Sequence, residues 1–196
     1  MVLKIRQVGE PVLRQGSRLL TPEEIRGRYI QELIESMRET MHDAPGVGLA
    51  APQIGVPLQV VVIEDPVEAI QRMPPEQALE RDRHPVPFHV LVNPSLTIVD
   101  SAPAEFFEGC LSLAGYTALV PRATRVHVEG WDERAEPVAI DAAGWYARIL
   151  QHEIDHLHGV LYIDRMDSRS LTTQDNHLRL WNGKPIVDVK RALAQA

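Results

Sequence analysis

The chain has 196 residues, of which 44% are hydrophobic, 24% charged and 5% aromatic, with a formal net charge of -7. That length suits one compact domain with a sizeable core, and the composition excludes a disordered or fibrous chain. No apolar run approaches the roughly 20 residues of a membrane helix, and the acidic balance argues against a global grip on DNA or RNA.

The N-terminal MVLKIRQVGEPVLRQ has no apolar stretch of the signal-peptide kind and reads as the start of an untargeted, cytoplasmic protein. TPEEIRGRYIQELIESMRETMHD then predicts an amphipathic helix. Thr21 is its N-cap, Pro22 its first residue and Glu24 the partner of a capping box. Ile30, Leu33, Ile34, Met37 and Met41 recur at helical spacing and give it one buried face. GVGLAAPQIGVP is too rich in Gly and Pro to be a regular element, whereas LQVVVIED and FHVLVNP read as strands. Between those strands, residues 66–87 form a polar, proline-studded surface insertion with one short helix around Glu76 to Arg83. Further strands are expected at Leu96–Val99, Ala118–Val120, Arg125–Trp131 and Pro137–Ile140. A second helix is expected from about Ala142 to His158, with Asp141 as N-cap and Gly159 as the residue beyond its end. After Arg165 the chain turns polar, and only VDVKRALAQA promises a strand or a helical turn. Strands gathered between two helices, without βαβ alternation, indicate an α+β fold with antiparallel sheets. The whole chain, 1–196, is read as a single catalytic domain with a tail over 168–196.

The sharpest chemical signal is QHEIDHLHG, residues 151–159, on the second helix. His152 and His156 are four apart, so both imidazoles lie on one helical face and can converge on one metal ion. Glu153, one step round from His152, can reach a water on that metal without being a ligand itself. A chance match on a solvated face is disfavoured by Ile149, Leu150 and Leu157, which suggest that the helix points inward.

Such a site usually needs a third protein ligand. Gly159 fits the metzincin continuation, but Tyr162 stands where that pattern has its last histidine, and no glutamate follows Glu153. His177 and Asp164 are ligand types without a spacing that singles them out. Cys110, the only cysteine, lies in Glu108-Gly109-Cys110-Leu111-Ser112. A thiolate binds zinc or ferrous iron well, and the incomplete two-histidine site favours Cys110 over its reading as an inert buried thiol. Its singularity excludes an intramolecular disulfide and points to a reducing compartment.

GVGLAAPQIG, residues 46–55, is no phosphate loop, since the Lys-Ser/Thr ending is missing and a strand follows. Its small residues admit a ligand close to the backbone, and Gln53 offers a neutral amide donor in an apolar run.

GVGLAAPQIG, EGCLS and QHEIDHLHG, in this order, closely resemble the three signature motifs of peptide deformylases. The likeness extends from VGEPVLR to VLYIDRM, and GYTALVPR with GWYARILQHE looks nearest to the branch found in mitochondria and some bacteria. The resemblance implies antiparallel β-sheets packed around a central metal-binding HExxH helix. It implies removal of the N-formyl group from the N-terminal methionine of newly made polypeptides, with release of formate. By the same resemblance Cys110, His152 and His156 hold one divalent metal, physiologically Fe2+, with Zn2+, Ni2+ or Co2+ as substitutes. Ligand chemistry alone would suggest zinc first. Glu153 would shuttle the proton, while the Gln53 amide and the Leu111 backbone N–H stabilise the oxyanion. Glu108 and Asp155 would orient ligands or neighbouring backbone. The methionine pocket would draw on Val47, Gly48, Gly109, Trp145 and Ile149.

Two other functions share parts of this pattern: a zinc peptidase or other amide hydrolase, and a silent binding protein that kept the fold. The complete set of candidate ligands, base and oxyanion donor speaks against silence. The expected partner is a formyl-Met nascent peptide, with neither DNA nor membrane. From Arg165 onward six basic residues oppose three aspartates, while the remaining chain carries -10. This tail reads as solvated surface, with transient ribosome association as the alternative. No pattern sets an oligomeric state.

Overall fold

The computed structural model describes residues 1–195. Ala196, the end of the predicted tail, lies outside the described residues. The first expected helix is divided. Thr21 accepts from the Glu24 N–H and the Glu24 carboxylate accepts from the Thr21 N–H, which starts α1 (Pro22–Arg26). Gly27 is extended and separates it from α2 (Arg28–Asp43). Glycine is a poor helix former, and here it sits 3.0 Å (as a Cβ position) from the Glu24 carbonyl oxygen. The expected face of Ile30, Leu33, Ile34, Met37 and Met41 is buried.

The Gly/Pro-rich segment is more regular than its composition suggests. It forms β1 (Gly48–Ala50) and a 3-10 turn over Ala51–Ile54. Leu49 and Ala50 are fully buried and pair with Val62 and Val61 of β2 (Val60–Asp65), so burial overrides the weak local propensity. The insertion carries two short helices rather than one, α3 (Val67–Gln71) and α4 (Pro75–Glu80). It ends on Arg83, whose guanidinium makes two bonds, 2.8 and 2.7 Å, to the buried Asp65 carboxylate.

The predicted strands at 88–94 and Leu96–Val99 merge into one bent strand, β3 (Val86–Gly109). Likewise Ala118–Val120 and Arg125–Trp131 belong to β4 (Tyr116–Trp131). Register shifts near Pro94, Val99 and Pro103 mark where β3 bends. β5 (Pro137–Ala143) completes an antiparallel order β1-β2-β3-β4-β5. β2 is buried on both faces, which explains its unbroken VVVI run. Val60 and Val62 join the cluster under α2, whereas Val61 and Ile63 join Leu150, Ile154 and Leu157 on the other side.

The second helix, α5 (Gly144–Leu157), starts two residues later than expected. Asp141 is not its N-cap: it stays in β5 opposite His127, and its carboxylate contacts His127 Nδ1 at 2.8 Å. Strand pairing persists to Ala143, and Gly144 turns the chain with φ +57°. Gly159 does follow the helix end, with φ +74°.

The polar tail is ordered. Thr172–Thr173 forms β6 on β4, followed by α6 (Gln174–Leu180) and α7 (Ile186–Gln195). Its few apolar residues are spaced to dock: Ile186, Val189 and Leu193 share one face with Phe107 and Leu119 beneath it. Among the described residues no helix is long and apolar enough to cross a membrane.

Candidate active site

β3 ends at Gly109, which delivers Cys110 to the side of α5 that carries His152 and His156. One ligand atom from each of the three lies within 4.8 Å of the others. Cys110 Sγ is 3.3 Å from His156 Nε2, and the two imidazoles are edge-to-face with centroids 5.0 Å apart. Neither of the other ligand types considered from sequence is here: Asp164 pairs with Arg14, and His177 packs on Phe107.

His152 is oriented by Glu108, whose Oε2 is 3.0 Å from Nδ1, so Nε2 is left for a ligand. Glu108 is itself gripped by three further bonds. Arg122 donates Nε to Oε1 and Nη2 to Oε2, each at 3.0 Å, and Arg148 donates Nη1 to Oε1 at 2.5 Å. Burial alone would raise the Glu108 carboxyl, but the His152 hydrogen bond and the Arg122 charge hold it well below the usual range. Arg122 also bonds Asp155, which Arg165 clasps with two bonds of 2.7 Å. Asp155 is therefore a buried ion-pair member and not a solvated helix residue. Sequence reading missed Arg122, Arg148 and Arg165. Only Arg148 left a signal, being a charge four residues before His152 in the apolar run WYARIL.

Glu153 is 5% exposed, and its Oε2 has no hydrogen-bond partner among the described residues. Burial pushes this carboxyl up to about 7. Its other oxygen explains Gly48, since a β-carbon there would stand 2.4 Å from Oε1. Gln53 is held by its own loop, accepting the Ala50 N–H at 2.8 Å on Oε1. Its Nε2 thereby faces Cys110 Sγ at 3.5 Å and Ser112 Oγ at 3.3 Å.

A thiol, two imidazoles and an unpartnered buried carboxylate oxygen in one place suit a divalent transition metal with an associated water. The residues present fit such an ion. Cys110, His152, Glu153 and Gln53 border a cleft of about 670 Å³. All five expected pocket residues, Val47, Gly48, Gly109, Trp145 and Ile149, line it, as does Leu111. The sequence did not suggest Phe107, Arg83 or Gln174, which line it too. Trp145 is ringed by cations, with Arg81, Arg83 and Arg148 at 4.9, 5.4 and 5.7 Å from its ring centre.

The polypeptide deformylase family model matches residues 2–171. The chain belongs to the peptide deformylase family. Chloroplastic peptide deformylase 1A of Solanum lycopersicum is 46% identical over 172 residues, 88% of this chain. Mitochondrial peptide deformylase of Homo sapiens is 45% identical over 85% of this chain and 68% of its own length. The chain spans 62% of the length of the tomato relative. Among solved structures, a Met-Ala-Ser-bound class I type b peptide deformylase of Acinetobacter baumannii superposes with TM-score 0.75 at 30% identity. That match covers 85% of this chain and 99% of the other. The mixed helix and antiparallel sheet described above is thus the deformylase fold. Deformylases are metal-dependent, and the Cys110, His152 and His156 cluster is where this one could hold an ion.

Proposed function

We propose that this chain is a peptide deformylase that hydrolyses the N-formyl group from the N-terminal methionine of new polypeptides, releasing formate. The observation that carries this reading is the meeting of Cys110, His152 and His156 beside buried Glu153 in a chain of that family. Cys110, His152 and His156 are the metal ligands, and α5, packed on one face of the sheet, is the metal-binding helix. The bound ion would polarise the formyl oxygen and make a water more acidic. Ferrous iron is the proposed physiological ion, with zinc, nickel or cobalt as replacements.

Glu153 takes a proton from the attacking water and passes it to the departing amine nitrogen as the C–N bond breaks. The two hydrolysis products are formate and a free α-amine. A buried carboxyl already pushed upward by its surroundings is suited to hold that proton between the two steps. Gln53 Nε2 and the Leu111 backbone N–H donate to the oxygen on which negative charge grows. Gln53 is preorganised for this by the Ala50 N–H. Val47, Gly48, Gly109, Trp145 and Ile149 form the wall that receives methionine, and the ion pairs on Glu108 keep His152 from turning away.

The proposed place of action is the cytoplasm, on nascent chains, with transient ribosome association as the alternative role of the basic tail. Formate release from formyl-Met-Ala-Ser, with a chelator control, tests the reaction. Formate without internal peptide cleavage separates deformylation from peptidase activity, and loss of formate on chelation ties it to the ion. Internal cleavage, or no formate from metal-loaded protein, would reject the reading.

A further inference from the structure

The residues after Leu171 lie beyond the stretch matched by the family model, yet they contribute to the cleft. Thr172 and Thr173 pair with Thr117 and Tyr116 of β4. The Gln174 N–H then donates to Gly115 O at 2.9 Å, and Thr173 Oγ1 caps α6 by accepting from the Asn176 N–H at 3.3 Å. These bonds fix the first residue of α6 against the turn that follows Cys110. The Gln174 side chain lines the cleft, with Nε2 3.8 Å from the place a β-carbon on Gly109 would occupy.

Its support is built rather than incidental. The His177 ring meets Phe107 edge-on with centroids 4.4 Å apart, and Val189 is fully buried against Phe107 and Leu119. Lys190 Nζ pairs with Glu105 at 2.8 Å. Glu153 is buried while Gln174 is exposed, so Gln174 stands at the mouth of a cleft whose reacting end is deep. A primary amide there offers a donor and an acceptor, the complement of a peptide main chain.

We propose that Gln174 is a specificity-determining residue that hydrogen-bonds the main chain of the peptide beyond its first residue, and that α6 and α7 brace it in position. The identity of that peptide as a formyl-methionyl chain rests on the deformylase reading above. Because glutamine is uncharged, the contact selects for chain length and not for the charge of the following side chains. Because α6 and α7 hold it in advance, little ordering is left to occur on binding.

The test compares Met-Ala-Ser with methioninamide as ligands of the metal-loaded protein, by titration calorimetry, for the wild type and Gln174→Ala. One hydrogen bond corresponds to a loss of about threefold to tenfold. That loss is expected for Met-Ala-Ser relative to methioninamide, with KM for formyl-Met-Ala-Ser rising rather than kcat falling. Val189→Asp, which undocks α7 at a residue that does not itself line the cleft, should reproduce the length-selective loss. Equal weakening of both ligands by Gln174→Ala, or none, overturns the proposal, as does a fall confined to kcat. If the wild type releases no formate, the deformylase reading fails, while the calorimetric comparison still decides the role of Gln174.

Discussion

At the residue scale, Glu153 and Gln53 sit on the same cleft but are held by opposite means. Glu153 is placed by exclusion: helix position and burial leave one oxygen without a partner. Gln53 is placed by an explicit bond from Ala50. Their substitution should therefore read differently. Under the proposed mechanism Glu153→Gln keeps the shape and the metal but removes the proton shuttle, so formate release should drop at least about 100-fold at unchanged metal content. Turnover near the wild-type rate with full metal would refute the shuttle. Gln53→Ala should cost about 100- to 1000-fold in kcat, since the proposed oxyanion donor is removed. Glu108→Gln acts through His152, and metal affinity measured by chelator competition should weaken about 10- to 100-fold. An unchanged affinity would show that the His152–Glu108 contact does not orient the ring.

At the element scale, α5 is held at both ends by glycines in left-handed conformations, Gly144 and Gly159. A β-carbon on Gly159 would lie 2.7 Å from the Arg14 backbone carbonyl, so the end of the helix carrying His152 and His156 is fitted to the N-terminal segment. Gly159→Ala should destabilise the protein by about 1 kcal/mol or more in urea denaturation, through strain and collision together. A neutral result would mean that the N-terminal segment yields freely. The sequence disclosed this glycine because a helix C-terminus has a local signature. It disclosed His152, Glu153 and His156 for the same reason, since their mutual geometry is set within one helix. Asp141 misled because a good capping residue lost to strand pairing, a contest decided by β4 and not by neighbours in sequence. The Glu108–Arg122 pair was invisible for a related reason. Fourteen residues apart, they meet only through the register of β3 on β4, which places Glu108 opposite Ala118.

At the scale of the whole molecule, one antiparallel sheet carries α2 on one face and α5 on the other, and the cleft opens where β1, the end of β3 and α5 meet. The three candidate ligands, Cys110 just beyond β3 and His152 and His156 on α5, sit on elements already locked by a buried network of Arg122, Arg148, Glu108 and Asp155. The scaffold should thus persist without the ion. Chelation is expected to abolish activity while leaving the far-UV circular dichroism unchanged, and returning metal should raise Tm in proportion to the logarithm of its concentration. Collapse of secondary structure on chelation would show instead that the ion organises the fold. The composition of the tail suggested a solvated polar end, yet Ile186, Val189 and Leu193 were spaced for one buried face. What could not be read was the surface awaiting them, because Phe107 and Leu119 become neighbours only once β3 and β4 pair.

The most direct test is formate release from formyl-Met-Ala-Ser by the wild type and Glu153→Gln, each carrying one equivalent of Fe2+ by elemental analysis under reducing conditions. The wild type should release formate in step with the free amine, and the variant should be at least about 100-fold slower at equal iron. Equal rates for the two proteins, or an iron-loaded wild type that releases no formate, would contradict the account.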